Sequence, residues 1–506
     1  MSKHRIGRRR FVNVAATASA AALLAKPTPA AAKSNRITEE NSKPGTIEWQ
    51  LRYHNFDDPV TMASYPLNRL LRHSAIEGYA SKTSLLPGES IDFLISMKPA
   101  GRFLVDIYRM GYYGGAGARH MARLGPFKAS PQTVPMMTME RLRECAWEKS
   151  ASLAIPKDWP SGVYLAKLTR DEPHGTQSYV IFVVKEHRPS DLLCQASDLT
   201  WQAYNKWPGK DSLYDDGTPE VWYTGPNVRV SFDRPYAKYC QCLDSPLSSG
   251  SGGYVLWEHP MTYWLEQQGY DVTYCSNLDL HLDPGILKLS KAFLSVAHDE
   301  YWSKKMYDEV TRARNDGLSL AFFSGDTMWH EIEFYDSSVT GAPCRAFARK
   351  ANDVNTNMPE AEKLMGVKSG TVGYGDWVVS KAAHWAYEGT GLKDGDRIPA
   401  VIGWEYNGGP ADIPGLEVLA TSLLHPRTDA FIKEDHHHHG VIYPCEKGNW
   451  VFNAGSIWWP EGLACPPGHV PARVGDVGGT FGVHPAAQRL TANVLNRMIK
   501  DSPRHT

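Results

Sequence analysis

The chain has almost no excess charge of either sign: 54 Lys+Arg stand against 55 Asp+Glu in 506 residues. A nucleic-acid binder that needs a basic face is therefore not expected. No apolar run of about 18 residues follows the N-terminus, so no membrane span is expected in the mature form. The familiar catalytic signatures are missing too. There is no G-x-S-x-G elbow, no phosphate-binding G-x-x-x-x-G-K-[ST], no H-E-x-x-H and no G-x-G-x-x-G after a strand. Cysteine is sparse, with 8 scattered positions whose pairing cannot be read from spacing. Cys240-x-Cys242 is too close for a usual zinc knuckle, and one or two disulfides at most are expected.

Aromatic residues are plentiful, 16 Trp and 24 Tyr among them, which excludes general disorder. At the N-terminus, Arg8-Arg9-Arg10-Phe11 precedes a modest apolar stretch and Ala30-Ala31-Ala32. This is the layout of a twin-arginine export signal over 1–32, and it predicts a periplasmic or secreted protein. Residues 33–46 are polar and read as a linker. From 47 to 187 short strand-like runs such as "SIDFLISM", "GVYLAKLTR" and "QSYVIFVVKE" are separated by turn clusters. That pattern predicts an Ig-like antiparallel β-sandwich.

After Pro189 strands alternate with helices. "DLLCQAS", "YDVTYCS", "AFLSVA" and "LSLAFFSG" read as strands, and "HPMTYWLEQQG" and "SKKMYDEVTRARNDG" as helices. The spacing predicts a doubly wound, mostly parallel α/β domain over 190–500, with ligands outside the carboxyl ends of the strands. The aromatic "TWQAYNKWPGKDSLYDD" reads as a loop, and "DHHHHG" at 435–440 as an exposed polar tip. Cys275 follows a strand but lacks the flanking glycines of a nucleophile elbow.

One strand exit is crowded with polar groups: His298, Asp299, Glu300 and Tyr301, then Trp302 and Ser303. Ser303 can cap the following helix, with the acids complementing its dipole and Trp302 stapling it to the sheet. The same residues can instead hold a metal or a polar substrate.

"HDEYWSKKMYDEV", "TWQAYNKWPGKDSLY", "SFDRPY", "WLEQQGYDVTY", "GTGLKDGDRIPAVIGWEYN" and "NWVFNAGSIWW" together resemble the large subunit of N,N-dimethylformamidase over about 190–500. In that family a mononuclear ferric iron, held by two tyrosinates and a glutamate, hydrolyses a small unactivated amide. The resemblance implies Tyr301 as one tyrosinate and Glu405 as the carboxylate. The second tyrosine has no counterpart in "LWEHPMTYWLE", where His259 or Glu258 can substitute and shift the preference to Zn²⁺ or Fe²⁺. His298 and Glu300 are then the candidates for moving protons. What the resemblance implies is a metal-dependent hydrolase of a carbon–nitrogen bond in a small amide, with iron, zinc or no metal at all. It leaves room for a small partner subunit or a homo-oligomer. A non-catalytic secreted protein whose aromatic loops contact a glycan or wall polymer is the alternative.

Overall fold

The computed structural model describes residues 34–53, 72–209, 211–215, 228–237, 248–350, 358, 360–424, 436–469 and 482–504. The export motif, Cys240 and Cys242 lie outside them. Alternating burial along Ser90–Ser96 marks a strand with one face on a core, which places it in an antiparallel three-stranded sheet with Glu77–Ala80 and Ala151–Ala154. Opposite lies a five-stranded sheet ordered Ser84–Leu85, Gln177–Val184, Gly162–Arg170, Gly101–Met110 and Ala118–Ala129. The two sheets enclose Ile91, Phe93, Ile95, Phe103, Val105, Ile107, Leu168 and Phe182.

Gly162–Arg170 and Gln177–Val184 are buried on both faces. Their outer side chains, including Val163, Leu165, Ile181 and Val183, join a second core with Leu192, Trp257, Met261 and Trp264. Ser34–Thr506 accordingly hold together as one unit. Across this seam Arg109 and Glu266 form an ion pair with both side chains 0% exposed. The guanidinium donates to Glu266 Oε1 at 2.8 Å and to Oε2 at 3.1 Å. Tyr274 and Asn41 donate to the same carboxylate at 2.9 and 2.8 Å. Asn41 belongs to the helix Arg36–Asn41, capped by Asn35 and anchored by the fully buried Ile37. The segment expected as a linker is therefore ordered, because its cap and one apolar residue find partners on the fold.

The α/β region is built on a seven-stranded sheet. Its order is Val272–Ser276, Ser190–Ala196, Ser290–His298, Ser319–Gly325, Trp450–Asn453, His436–Pro444 and Glu417–Leu424. The first five strands are parallel and the last two add antiparallel. The strands that alternate with helices are those the sequence periodicity indicates, and they are apolar and buried on both faces, as parallel strands must be. The histidine run does not form an exposed tip. His436–Pro444 pairs on both sides, and His438 is fully buried with Nε2 at 2.7 Å from the Ala454 carbonyl. A smaller four-stranded sheet orders Arg229–Ser231, Ala346–Arg349, His330–Tyr335 and Tyr301–Ser303. No helix among the described residues is long and apolar enough to cross a membrane. The six described cysteines are all free, and Cys275 is fully buried with its thiol pushed far up by burial.

Candidate active site

Two adjacent parallel strands end side by side, with His298 in register with Gly325. The backbone turns sharply at these ends: Ala297, the last residue but one of its strand, and Asp326, just past the other, have left-handed φ values of 60° and 48°. Such values are uncommon for non-glycine residues but tolerated by aspartate. Gly325 is needed for close approach, since a Cβ there would lie 2.4 Å from the Glu405 carbonyl oxygen and 2.7 Å from Ile457 N. The Glu405 backbone thus rests directly on the strand end. These turns bring His298, Glu300, Asp326 and Glu405 together, their ligand-type atoms all within 4.8 Å of one another.

The opening strand exit divides its labour. Ser303 does cap the helix Lys304–Asn315, its Oγ accepting from Met306 N at 3.2 Å, and Trp302 is fully buried. The two acids serve other ends. Asp299 is locked by Ser295 Oγ and Gln195 Nε2, both at 2.7 Å, and by Asn277 Nδ2 at 3.0 Å, which makes it a structural anchor for the turn. Glu300 faces the cluster, held by its own N–H donating to Thr200 Oγ1 at 3.0 Å.

Phenols surround Glu300. Tyr204 donates to Oε2 at 2.8 Å and Tyr214 to Oε1 at 3.0 Å, and the two rings stack with centroids 4.7 Å apart. Tyr301 meets Tyr214 hydroxyl to hydroxyl, and its ring stacks on His330. Burial, then the Glu300 charge, pushes Tyr204 and Tyr301 far above the usual phenol range, and Tyr214 likewise. Without a cation among them these oxygens stay protonated. Arg349 lies 5.1 Å from the Tyr214 ring centroid and opposes that shift.

His298 Nε2 lies 2.7 Å from Glu405 Oε2 and 3.2 Å from Glu300 Oε2. Burial alone would depress this imidazole, but Glu405 and Glu300 override it and hold it up at about 10. His330 Nε2 is 3.4 Å from Glu300 Oε1, yet burial pushes it down to about 4. The positive charge facing Glu300 is therefore on His298, and His330 contributes a neutral contact. Asp326 is raised well above the usual carboxyl range by burial, then by Glu405 and Glu300. Its Oδ1 is buried with no hydrogen-bond partner among the described residues.

Of the residues singled out from sequence, His298, Glu300 and Glu405 converge, and Tyr301 reaches the cluster through Tyr214. His259 is elsewhere. It packs between Trp49, Tyr254 and Tyr263, with centroids at 5.4, 5.6 and 6.1 Å, and burial pushes it down to about 3. Glu258, the other substitute considered, accepts from Trp201 Nε1 at 2.7 Å. Tyr204, Tyr214 and Asp326 were missed. The two tyrosines lie in the segment read as an aromatic loop, where Trp201 and Trp207 are also buried and so offer no surface to a glycan.

The family description N,N-dimethylformamidase beta subunit-like, C-terminal, matches residues 104–472. The chain belongs to this family. All six residues of the site, Tyr204, Tyr214, His298, Glu300, Asp326 and Glu405, fall inside the match, which begins within the N-terminal sandwich and not at Pro189. No curated protein matches the chain.

The donors fit a small hard cation. Ligands at right angles on an octahedral ion, each about 2.0–2.2 Å from it, stand about 2.8–3.1 Å apart. The two phenol oxygens stand at such separations from the two oxygens of Glu300.

Proposed function

We propose that the protein is a metal-dependent hydrolase of carbon–nitrogen bonds in small amides, and that Tyr204, Tyr214 and Glu300 hold the metal. The observation that carries this is the pair of phenols placed on the two oxygens of one buried carboxylate. It supplies the two-tyrosine, one-glutamate set of the resembled enzyme without His259, and it favours iron over zinc, since phenolate and carboxylate oxygens are hard donors. A cation held by these three residues would supply polarisation of a carbonyl and a lowered pKa for a bound water.

The remaining groups carry protons. His298 stands between Glu405 and Glu300, its Nε2 in an ion pair with Glu405 Oε2 at 2.7 Å. Glu405 is positioned to accept a proton from the attacking water, and His298 to return one to the departing nitrogen. Tyr301 and Arg349 position Tyr214, one through its hydroxyl and one against its ring. Tyr204, Tyr214, His298, Glu300 and Asp326 are buried and Glu405 is partly exposed, so bulk water is limited in competing for the carbonyl. We read the N-terminal sandwich as Ig-like, and the family's description as a beta subunit favours a small partner subunit.

Elemental analysis of untagged full-length protein tests the reading. About one iron per chain and a phenolate-to-iron visible band are expected. Tyr204→Phe and Tyr214→Phe should each lower iron content and weaken the band, while Tyr263→Phe should change neither. Iron retained in the Tyr204→Phe/Tyr214→Phe double variant would remove this ligand set.

A further inference from the structure

The polar atoms of the cluster can be accounted for one by one. Glu300 Oε1 accepts from Tyr214 and Oε2 from Tyr204, while Glu405 Oε2 faces the His298 imidazole as an ion pair at 2.7 Å. Asp326 is different. It is 6% exposed, and its Oδ1 has no partner among the described residues although it sits with the other three. A buried acceptor left unmatched costs stability, and such groups are rare in folded proteins.

Its surroundings are nevertheless fixed. Thr327 Oγ1 bonds Ser324 Oγ at 2.7 Å, and Thr327 N donates to Asn407 Oδ1 at 3.4 Å. Ser369 Oγ donates to the Thr327 carbonyl at 2.6 Å, and Met328 N to the Asp299 carbonyl at 3.1 Å. The Asp326 carboxyl is thus presented by a rigid turn with one oxygen unused. Whether protonated or not, a carboxyl keeps acceptor capacity, so this oxygen calls for a donor.

We infer that Asp326 Oδ1 accepts a hydrogen bond from an N–H of the substrate, which makes this site selective for primary and secondary amides over N,N-dialkyl amides. The inference rests on the amide-hydrolase reading and sharpens it. In hydrolysis the C–N bond breaks, water's oxygen bonds to carbon, and a water proton ends on the departing nitrogen. A nitrogen that already carries hydrogen can point it at Asp326 throughout. A nitrogen bearing two alkyl groups has no donor and would leave the oxygen unmatched. Sites built to bond a donor discriminate strongly against analogues that lack it.

The test compares N-methylformamide with N,N-dimethylformamide on the full-length protein as isolated. Wild type should favour the N-methyl substrate in kcat/KM by about tenfold or more. Asp326→Gly removes the acceptor and suits the left-handed backbone, so the ratio should fall to within about twofold. Asp326→Asn keeps an acceptor oxygen and should keep the preference. Equal rates on both amides in wild type, or an unchanged ratio in Asp326→Gly, would overturn the inference. So would loss of bound iron in Asp326→Gly, which would make this residue a ligand. If neither amide is hydrolysed, the hydrolase reading fails by itself. Calorimetric binding of the same two amides then decides: tighter binding of the N-methyl compound upholds the role of Asp326, and equal or absent binding overturns it.

Discussion

Replacing Glu266 with alanine should cost more than any other single change in the seam between the sandwich and the α/β sheet. The loss has three parts. The Arg109 guanidinium, with a side chain 0% exposed, would keep its charge without its paired carboxylate, leaving only Glu40 beyond the Tyr113 hydroxyl as a counter-charge. Breaking a buried pair in this way costs about 3–5 kcal/mol. Asn41 Nδ2 and Tyr274 OH would lose their acceptor as well, at about 1 kcal/mol each. A loss of about 5 kcal/mol or more is expected, a large part of the ~5–15 kcal/mol that holds a typical domain. Because the cost lies in the stranded charge, the double variant Arg109→Met/Glu266→Leu should recover most of it and fall within about 2 kcal/mol of wild type. Urea unfolding followed by tryptophan fluorescence measures both. The reasoning is refuted if Glu266→Ala loses less than about 1.5 kcal/mol, or if the double variant is no more stable than the single one.

Acid should destabilise the protein through its buried imidazoles. His259 and His438 are each held down to about 3 by burial, so both stay neutral in the folded state while the unfolded chain takes up protons below about 6.5. Stability is then full above about 6.5 and falls at lower pH, by about 1.4 kcal/mol per pH unit per histidine, or about 2 kcal/mol each at pH 5. His438→Gln should lose correspondingly less between pH 7 and pH 5, and an identical loss in wild type and variant would contradict this. Export is tested separately: Arg8→Lys/Arg9→Lys should leave the precursor in the cytoplasm, and normal periplasmic accumulation would dismiss the twin-arginine route.

Part of this was legible in the linear chain. The alternation after Pro189 identified the parallel strands, because apolar runs between helices have few other uses. The polar strand exit identified His298 and Glu300, and "GWEYN" identified Glu405 by resemblance. Tyr204 and Tyr214 escaped because their partner Glu300 lies 96 and 86 positions downstream, and nothing local marks a phenol that points at a distant carboxylate. Asp326 escaped for a related reason. An aspartate after "SG" reads as an ordinary turn residue, and only the adjacent strand end and the Glu405 backbone give it company. The histidine run misled through composition: its polarity suggested solvent, while pairing on both flanks drew it into the sheet.

The contact at Gly325 has a consequence for how this site can change. Where the chain carrying Asp326 meets the chain carrying Glu405, backbone lies on backbone, with no side chain between them to trim or extend. The gap between the two acids is therefore a dimension of the frame, and exchanging rotamers or residue sizes nearby cannot retune it. Every other residue at 325 would drive the two chains apart. A lineage adapting this site to larger or smaller molecules must alter the segments around it, while the spacing of its acids stays as inherited.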